Sequence, residues 1–478
     1  MPQRSPLRFL QILAATAFAV GSPFAEAFSL PNAQDPFDTA LIEPPRPTLA
    51  APAAPGFVPC QEPTATTVFG VVEVVDLALC RNPQTHEAWA NARADAASVG
   101  IAQSAYLPTV DGKITTTRSR GNSVTTQQDT ASLTLSWLIY DFGARSANLE
   151  NARQLLSAAS STLDATVQTV FLNALQYYYN AQAARAAVTA ALESERASRE
   201  SLTAAEVRYQ VGTGTPADRL QAQTAWSQAT LDRIRAEGTL RNALGQLATV
   251  MGLDAGRPLQ LVDIPQTAPD ASFERDVDAL IEQARTLRPD LKSAEAQVRA
   301  AQANVDYARA AGLPTLSLGT GPAWQRVRSG GDSVNSHDNA IGLTLTLPLF
   351  SGFETTYRVR SAQANAEAVS AQRDAVRLQV ALDVWTAYQN LTTATQSIRT
   401  TDTLLASAEQ SERVAFGRYR AGVGSILDVL NAQSALAAAR QQHIQARLDW
   451  NVSRAALAKA IGALDGRLLD PAAKKPLP

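Results

Sequence analysis

The sequence is poor in the residues that most chemical sites require. Its 478 residues include three histidines and two cysteines, which leave little material for a metalloenzyme. Aromatic residues make up 6% and charged residues 18%, with 42 basic against 44 acidic side chains. This near-neutral balance argues against a nucleic-acid binder, which usually shows a basic face. Alanine is abundant instead, and alanine-rich, aromatic-poor chains favour long helices over deep globular cores.

The start of the sequence has the pattern of a secretory signal peptide. Arg4 and Arg8 supply positive charge, Phe9–Val20 is a short apolar run, and Ala25–Ala27 has the small-x-small form that signal peptidase cleaves. The run is too short to cross a bilayer as a helix, and no later segment approaches the roughly 18 apolar residues that a helical span needs. We therefore expect an exported protein without a helical membrane span.

Cys60 and Cys80 are the only cysteines of the sequence. In an oxidising compartment one disulfide is the economical interpretation. It would close a loop of about 20 residues and add about 3 kcal/mol in the chain-entropy model. A redox or metal site is the weaker alternative, because the sequence has no CxxC and His86 is the only potential partner nearby.

The strongest feature is an internal duplication with an offset of 210 residues. The segment Arg208–Gly214 recurs as Arg418–Gly424, and Asp218 recurs as Asp428. A fixed register at many points is the signature of a tandem repeat. Each half is predicted to hold a first helix, two strands with a polar loop between them, a very long helix and a returning helix. The predicted first helices are about 72–106 and 276–311, the long helices about 144–211 and 354–416, and the returning helices about 216–250 and 426–461.

The second strand of each pair alternates apolar with small or polar residues, over Ala131–Ile139 and Ile341–Leu349. A period of two with one apolar face indicates a half-buried strand, and about nine to eleven such residues suffice for a tilted transmembrane strand. Four strands cannot close a barrel, for which about eight are needed, and lipid does not tolerate an open sheet edge. If the strands enter a membrane the protein must oligomerise, and three copies would give twelve strands and a pore. A soluble β-layer covered by its own helices is the alternative.

This arrangement resembles the TolC family of outer-membrane channel-tunnels, over residues 71–466. The resemblance implies an α+β membrane protein of the outer membrane: a homotrimer with a β-barrel of four strands per protomer, continued by a long α-helical coiled-coil barrel in the periplasm. The marks that carry the resemblance are Tyr106–Thr109, Leu313–Leu316, Pro348–Gly352 and the two Tyr-x-x-Gly turns with their following aspartates.

The same resemblance implies partners and a division of the chain. The expected partners are an inner-membrane ABC transporter, a periplasmic adaptor, the lipid of the outer membrane and a secreted protein cargo; no nucleic acid and no cofactor is implied. Cys80–Gln84, the Pro-rich extension and the cysteine pair are most similar to the family member that serves export of the adenylate cyclase toxin. The predicted divisions are a signal peptide (1–27), an arm (28–70), a first repeat (71–252), a linker (253–273), a second repeat (274–466) and a tail (467–478).

The helical turns are the candidate site by this resemblance. Tyr419 and Asp218 are candidates for a closing contact between helices, and Asp428 for a ring of carboxylates that attracts cations at a pore entrance. Tyr209 is the counterpart of Tyr419 in the first half, and Asn431 stands where the family pattern has a second aspartate. The glycines expected at the hinge turns are Gly212, Gly214, Gly422 and Gly424.

Two further interpretations of these turns stay open. Both aspartates also fit a helix N-terminus, where Thr215 and Ser425 would be the capping residues and each acid would stabilise the helix dipole by about 0.3–1 kcal/mol. Gly424 replaces an arginine that locks the turn in the family pattern, so Arg219 or Arg420 is a candidate substitute.

Three functional classes compete at this point. An enzyme is not expected, because the three histidines lie far apart in the sequence with no nucleophile motif, phosphate loop or metal spacing near them. A periplasmic helical scaffold without a pore would need water-soluble strands. Within the channel class, the exit duct of a type I protein secretion system is favoured, and the alternative is the outer-membrane channel of a multidrug efflux pump. The missing lipid-anchor cysteine favours secretion.

Overall fold

The computed structural model of the chain describes residues 35–39, 60, 67–121, 124–262, 277–329 and 332–464. The predicted signal peptide, most of the predicted arm and the predicted tail lie outside the described residues. In chain order the elements are β1 (Val68–Phe69), α1 (Val71–Arg81), α2 (Pro83–Ser104), β2 (Thr109–Gly121), β3 (Val124–Tyr140), α3 (Ala144–Gln210), α4 (Pro216–Val250), β4 (Gln260–Leu261), α5 (Val277–Leu287), α6 (Pro289–Ala310), β5 (Thr315–Ser329), β6 (Asp332–Thr346), α7 (Glu354–Arg420) and α8 (Ile426–Ile461).

Two helices of equal length dominate the molecule. α3 and α7 each have 67 residues. At 1.5 Å per residue each is about 100 Å long. The predicted long helices and returning helices are confirmed, and α7 continues through Gly417 because one glycine costs a helix only about 1 kcal/mol. None of the described helices combines the length and the apolar character that a membrane-crossing helix needs.

The predicted first helix of each half is wrong in one respect, since each is two helices. Asn82 has an extended backbone and its side chain accepts a hydrogen bond from the Gln84 N–H, so Pro83 starts a new helix at its first position. Arg288 is extended in the same way before Pro289. The physical reason is that a proline disfavours the helical conformation of the residue before it and cannot donate to the preceding turn.

The strands form an antiparallel sheet with the order β2-β3-β5-β6. The predicted polar loops are mostly strand, because β2 continues to Gly121 and β5 to Ser329. At the other end the prediction was too long: β6 stops at Thr346, two residues before Pro348, which lacks the N–H that a ladder needs. His337 lies within β6 opposite Trp324.

The main hydrophobic core lies near the middle of the long helices. There α1 packs on α3, the end of α4 contributes side chains to the same core, and the predicted linker contributes β4, which pairs in parallel with β1. Cys60 and Cys80 are joined by a disulfide with 5.3 Å between their Cα atoms, which attaches the arm to the last turn of α1. Burying an aliphatic side chain stabilises a fold by about 1.5–3 kcal/mol. Side chains with little or no exposure in this core include Val74, Val75, Leu77, Val170, Leu175, Tyr178, Leu247 and Met251.

Candidate functional site at the helical turns

Both long helices end in the same glycine turn. Gly212 and Gly422 have φ angles of 77° and 82°, in the left-handed region that only glycine adopts without strain. Two residues later, a Cβ on Gly214 or Gly424 would lie 3.0–3.1 Å from the backbone nitrogen of the tyrosine that precedes the turn. All four predicted turn glycines are therefore required for the backbone path.

The two aspartates of the site cap the returning helices. Asp218 accepts a hydrogen bond from the Thr215 N–H at 3.0 Å, while its own N–H donates to the Thr215 hydroxyl. Asp428 and Ser425 form the same reciprocal pair at 3.2 and 3.1 Å. The hydrogen bonds of Ser425, chiefly through its backbone N–H, hold the pKa of the Asp428 carboxyl below its usual range. The capping interpretation of both aspartates is confirmed.

Tyr419 is the central side chain of the turn region. It is 4% exposed and packs in a small core with Ala205, Ala222, Ile426 and Val429. Burial raises the pKa of its phenol, and the charge of Asp218 acts in the same direction. Tyr419 thus lies in a contact between the two halves of the chain.

The partner of Tyr419 is an arginine that the sequence did not single out. Arg208 donates from Nη1 to the Tyr419 carbonyl oxygen at 2.9 Å, and its guanidinium lies 4.8 Å from the centre of the Tyr419 ring. Among the described residues no hydrogen bond joins Tyr419 to Asp218, the expected partner. The signal for Arg208 was its position in the duplicated segment, directly before Tyr209 and equivalent to Arg418.

The two substitute arginines have other contacts. The guanidinium of Arg219 lies 5.0 Å from the centre of the Tyr209 ring, within one helical hairpin. Arg420 lies 6.0 Å from the centre of the Phe416 ring, one turn back on α7. Among the described residues neither is found in contact with Tyr419, whereas Arg208 is.

Asp428 and Asn431 share one exposed face of α8. They are three residues apart, one turn of helix, and line a surface groove of about 1240 Å³ between α7 and α8 together with Arg418. The charge of Arg418 is a further, smaller cause of the lowered Asp428 pKa. The groove therefore presents a carboxylate that is ionised at neutral pH beside a neutral amide.

A metal centre is not apparent at this site or elsewhere in the described part of the chain. No group of three or more histidine, cysteine or acidic side chains there is arranged to hold an ion. His443 on α8 accepts a hydrogen bond from the Arg447 Nε at 3.0 Å and lies 3.3 Å from an oxygen of Asp402 on α7. Burial, with the charge of Arg447, lowers the pKa of His443 and favours its neutral form.

A family described as outer membrane efflux protein matches the chain twice, over residues 74–253 and 280–463. The chain belongs to this family. The two matches cover the two predicted repeats, and membership confirms the resemblance that the motifs carried. The protein is accordingly an outer-membrane channel protein and not an enzyme.

Individual relatives extend this assignment over most of the chain. Protein CyaE of Bordetella pertussis is 33% identical over 431 residues, which are 88% of this chain and 90% of the relative. Outer membrane protein TolC of Escherichia coli is 24% identical over 83% of this chain and 82% of its own. The crystal structure of the Campylobacter jejuni CmeC outer membrane channel superposes with a TM-score of 0.72 at 21% identity, over 83% of this chain and 86% of that one. This last likeness shows the mostly helical fold.

Proposed function

We propose that the protein is the outer-membrane exit duct of a type I secretion system. In this proposal three copies form one channel that passes an unfolded, toxin-like protein from an inner-membrane ABC transporter and its periplasmic adaptor to the exterior. The observation that carries it is an open four-stranded sheet with one apolar face, whose two edges are unpaired in the described part of the chain. This sheet is joined directly to helices about 100 Å long.

The apolar face has the dimensions of a membrane band. Residues paired across neighbouring strands share a face, and alternate residues of one strand lie on the same face. Ala131–Ile139 spans eight residue steps, about 26 Å along the strand, close to the apolar band of about 25 Å in transmembrane barrels. Its exposed members on β3 and β6 are Leu133, Trp137, Ile139, Ile341, Leu343 and Leu345.

The two sheet edges call for further copies of the chain. β2 and β6 have 13 and 15 residues, and in the described part of the chain their outer edges pair with no strand. Long, unbroken edges template pairing with another strand, and lipid leaves no other partner for their backbone groups. Joining β6 of one copy to β2 of the next closes a twelve-stranded barrel with three copies.

The helices suit a continuation of such a pore. The buried positions of α7 step by fours and threes through Val380, Val384, Ala387, Leu391 and Ala394. This spacing is typical of coiled-coil packing, and small alanines allow neighbouring helices to approach closely. A helical barrel built this way extends the channel into the periplasm.

Identity of 33% to CyaE over most of both chains supports protein secretion over drug efflux. The test is a secretion assay in a strain that lacks its own outer-membrane component. The strain carries an ABC transporter, an adaptor and the toxin-like protein that this transporter exports. Cargo in the medium that depends on this chain supports the proposal. If the cargo stays inside the cells while the cells regain resistance to small toxic compounds, the proposal is contradicted. That result would favour the multidrug efflux channel.

The turn region is the proposed entrance of the channel. Asp428, exposed on α8, would meet its counterparts from the other two copies at the axis and form a ring of carboxylates. Asn431, one helical turn away, would leave the entrance less negative than an aspartate at that position. Asp428→Asn should weaken the preference for cations and the block by trivalent cations, because the ring loses its charge. Asp218→Asn is the matched control: it removes an equivalent capping charge but should leave ion selectivity unchanged, and an equal effect of both would contradict the ring.

A further inference from the structure

Four arginines lie on the apolar face of the sheet, beyond its apolar band. The register pairs Arg118 with Gln127 and Gln127 with Arg328, so these side chains share one face. Arg120, two residues after Arg118 on β2, and Arg326, two residues before Arg328 on β5, lie on the same face by strand alternation. The face is the apolar one, because Ile114, Ala131 and Trp324 belong to the same set of pairs.

The opposite face of the same strand ends carries the acids. Asp332 and Asp338 pair with Ser329 and Ala323, which alternate with the arginines of β5. Near the start of β2, away from the arginine end, Asp111 and Lys113 lie on the same opposite face, one acid and one base. The face with four arginines has one acid in the described strands, Asp129. Charge is therefore sorted between the two faces of the sheet.

The arginines are largely available to a ligand. On β5, Trp324, Arg326 and Arg328 are exposed, while the residues between them are half-buried. Arg326 donates to the Asn335 side chain at 3.0 Å, and Arg328 lies 4.0 Å from an Asp129 oxygen, both at the surface. For Arg118 and Arg120 no ion pair or side-chain hydrogen bond exists within the described residues.

The height of these side chains matches the headgroup level of a membrane. Trp324, 45% exposed, marks the outer border of the apolar band, as aromatic residues do in transmembrane barrels. Arg326 and Arg328 follow it by two and four residues, about 7 and 13 Å along the strand. Arginine has a planar fork of donors that binds phosphate oxygens in pairs.

We infer that the outward-facing arginines Arg118, Arg120, Arg326 and Arg328 form a binding surface for the phosphate groups of an anionic glycolipid in the outer leaflet, the class to which diphosphoryl lipid A belongs. This inference rests on the proposed function, since it requires the four strands to lie in the outer membrane. The surface would fix the vertical position of the barrel, with the apolar band in hydrocarbon and the arginines among phosphates.

The test measures binding of diphosphoryl lipid A to the full mature chain, assembled in detergent, by native mass spectrometry. Neutralising Arg118 and Arg120 to glutamine should weaken binding about 25-fold, because each cation near an anionic lipid surface contributes about fivefold. Lys113→Gln, on the same strand but the opposite face, is the matched control and should change nothing. For the unaltered protein, raising salt from 0.05 to 0.5 M should weaken binding, since screening shortens to a few ångströms.

Comparison ligands separate a phosphate site from general lipid affinity. Lipid A without its phosphates should bind about 600-fold more weakly, because it loses the contributions of all four arginines at about fivefold each. Inorganic pyrophosphate at the lipid's concentration should not displace the bound lipid. Equal binding of both lipids, or an equal loss with Lys113→Gln, overturns the inference; if the same preparation still conducts ions, the proposed function stands. Folded protein that neither conducts nor binds lipid overturns both.

Discussion

The two places where strands meet long helices share a backbone plan but differ in chemistry. At the first junction the side chain of Arg145 is 12% exposed and pairs with the buried Asp141 at 3.0 Å. Its guanidinium also donates to the carbonyl oxygens of Leu138 at 2.7 Å and Ile139 at 3.1 Å, and lies 4.8 Å from the centre of the Tyr106 ring. One side chain thus connects the strand end, the helix start and the turn that follows α2.

Within the described residues, the second junction has no counterpart of these arginine contacts. At the equivalent positions stand Ser351 and Thr355, whose hydroxyl oxygens lie 3.4 Å apart at the surface. Thr355 instead packs under Gly312, where a Cβ would come within 2.5 Å of its methyl group. Phe350 and Phe353 stack edge to face with 5.5 Å between ring centres and are mostly exposed.

The two halves of the chain therefore share a fold but not the contacts that stabilise their junctions. The first junction is held by a buried charge network, whose loss is costly because it leaves a buried acid unpaired. The second depends on a close backbone contact and on apolar surface that is open in one protomer. We therefore expect equivalent substitutions at the two junctions to change the free energy of unfolding by different amounts. Equivalent substitutions at the two capped turns should change it by similar amounts.

The largest difference in stability between equivalent positions is expected for Arg145→Met compared with Thr355→Ala. The change leaves the buried Asp141 carboxylate and two carbonyl oxygens without their donor, and should lower the free energy of unfolding by about 3–5 kcal/mol. Thr355→Ala, at the equivalent position, should cost less than about 1 kcal/mol. Urea unfolding of both variants in detergent, followed by circular dichroism, measures the difference. Equal costs would show that the junctions are energetically equivalent.

A smaller difference is expected between the equivalent arginines of the two turns. Arg208 reaches across to the Tyr419 carbonyl oxygen in the other half, whereas Arg418 donates to the Val423 carbonyl oxygen at 3.5 Å within its own hairpin. Arg208→Met should destabilise the turn region by about 1.5–3 kcal/mol, the range for hydrogen bonds to charged groups. Arg418→Met should cost under about 0.5 kcal/mol.

Amide hydrogen exchange at the turns measures this second contrast. Faster exchange after Arg208→Met, together with a larger single-channel conductance, would identify the contact as a closing latch between the halves. An Arg418→Met variant that exchanges as fast would contradict the assignment of Arg208 as the partner of Tyr419.

The smallest loss of stability is expected at the helix caps, and it should be equal in the two halves. Thr215→Ala and Ser425→Ala each remove one member of a reciprocal cap, and each should cost about 1 kcal/mol. Thermal unfolding of the two variants should give the same decrease in midpoint within error. A clear inequality would mean that contacts outside the caps differ between the turns.

Local patterns predicted much of this molecule. The glycine turns, the caps and the returning helices follow from residues a few positions apart, and the structure places them as expected. The breaks at Pro83 and Pro289 were also local, and the helix prediction missed them because apolar spacing continues across both. The polar ends of the strands were not predicted, because an alternating pattern indicates a strand only where one of the two sets of residues is apolar.

Long-range contacts could not be predicted in the same way. Arg208 and Tyr419 are far apart in the sequence, and their contact depends on how two helical hairpins pack. The pair of β1 with β4 joins the arm to the linker, and two-residue strands leave no periodic signal. The chemistry of Arg145 is likewise invisible in the repeat, because its equivalent, Thr355, has a different role.

Single-channel conductance of the purified mature protein in a planar bilayer tests the central claim most directly. An open four-stranded sheet that closes with two further copies predicts a small, long-lived conductance that favours cations. Well-folded protein without channel activity would contradict the account, and would make the sheet a layer outside the membrane and the helices a scaffold.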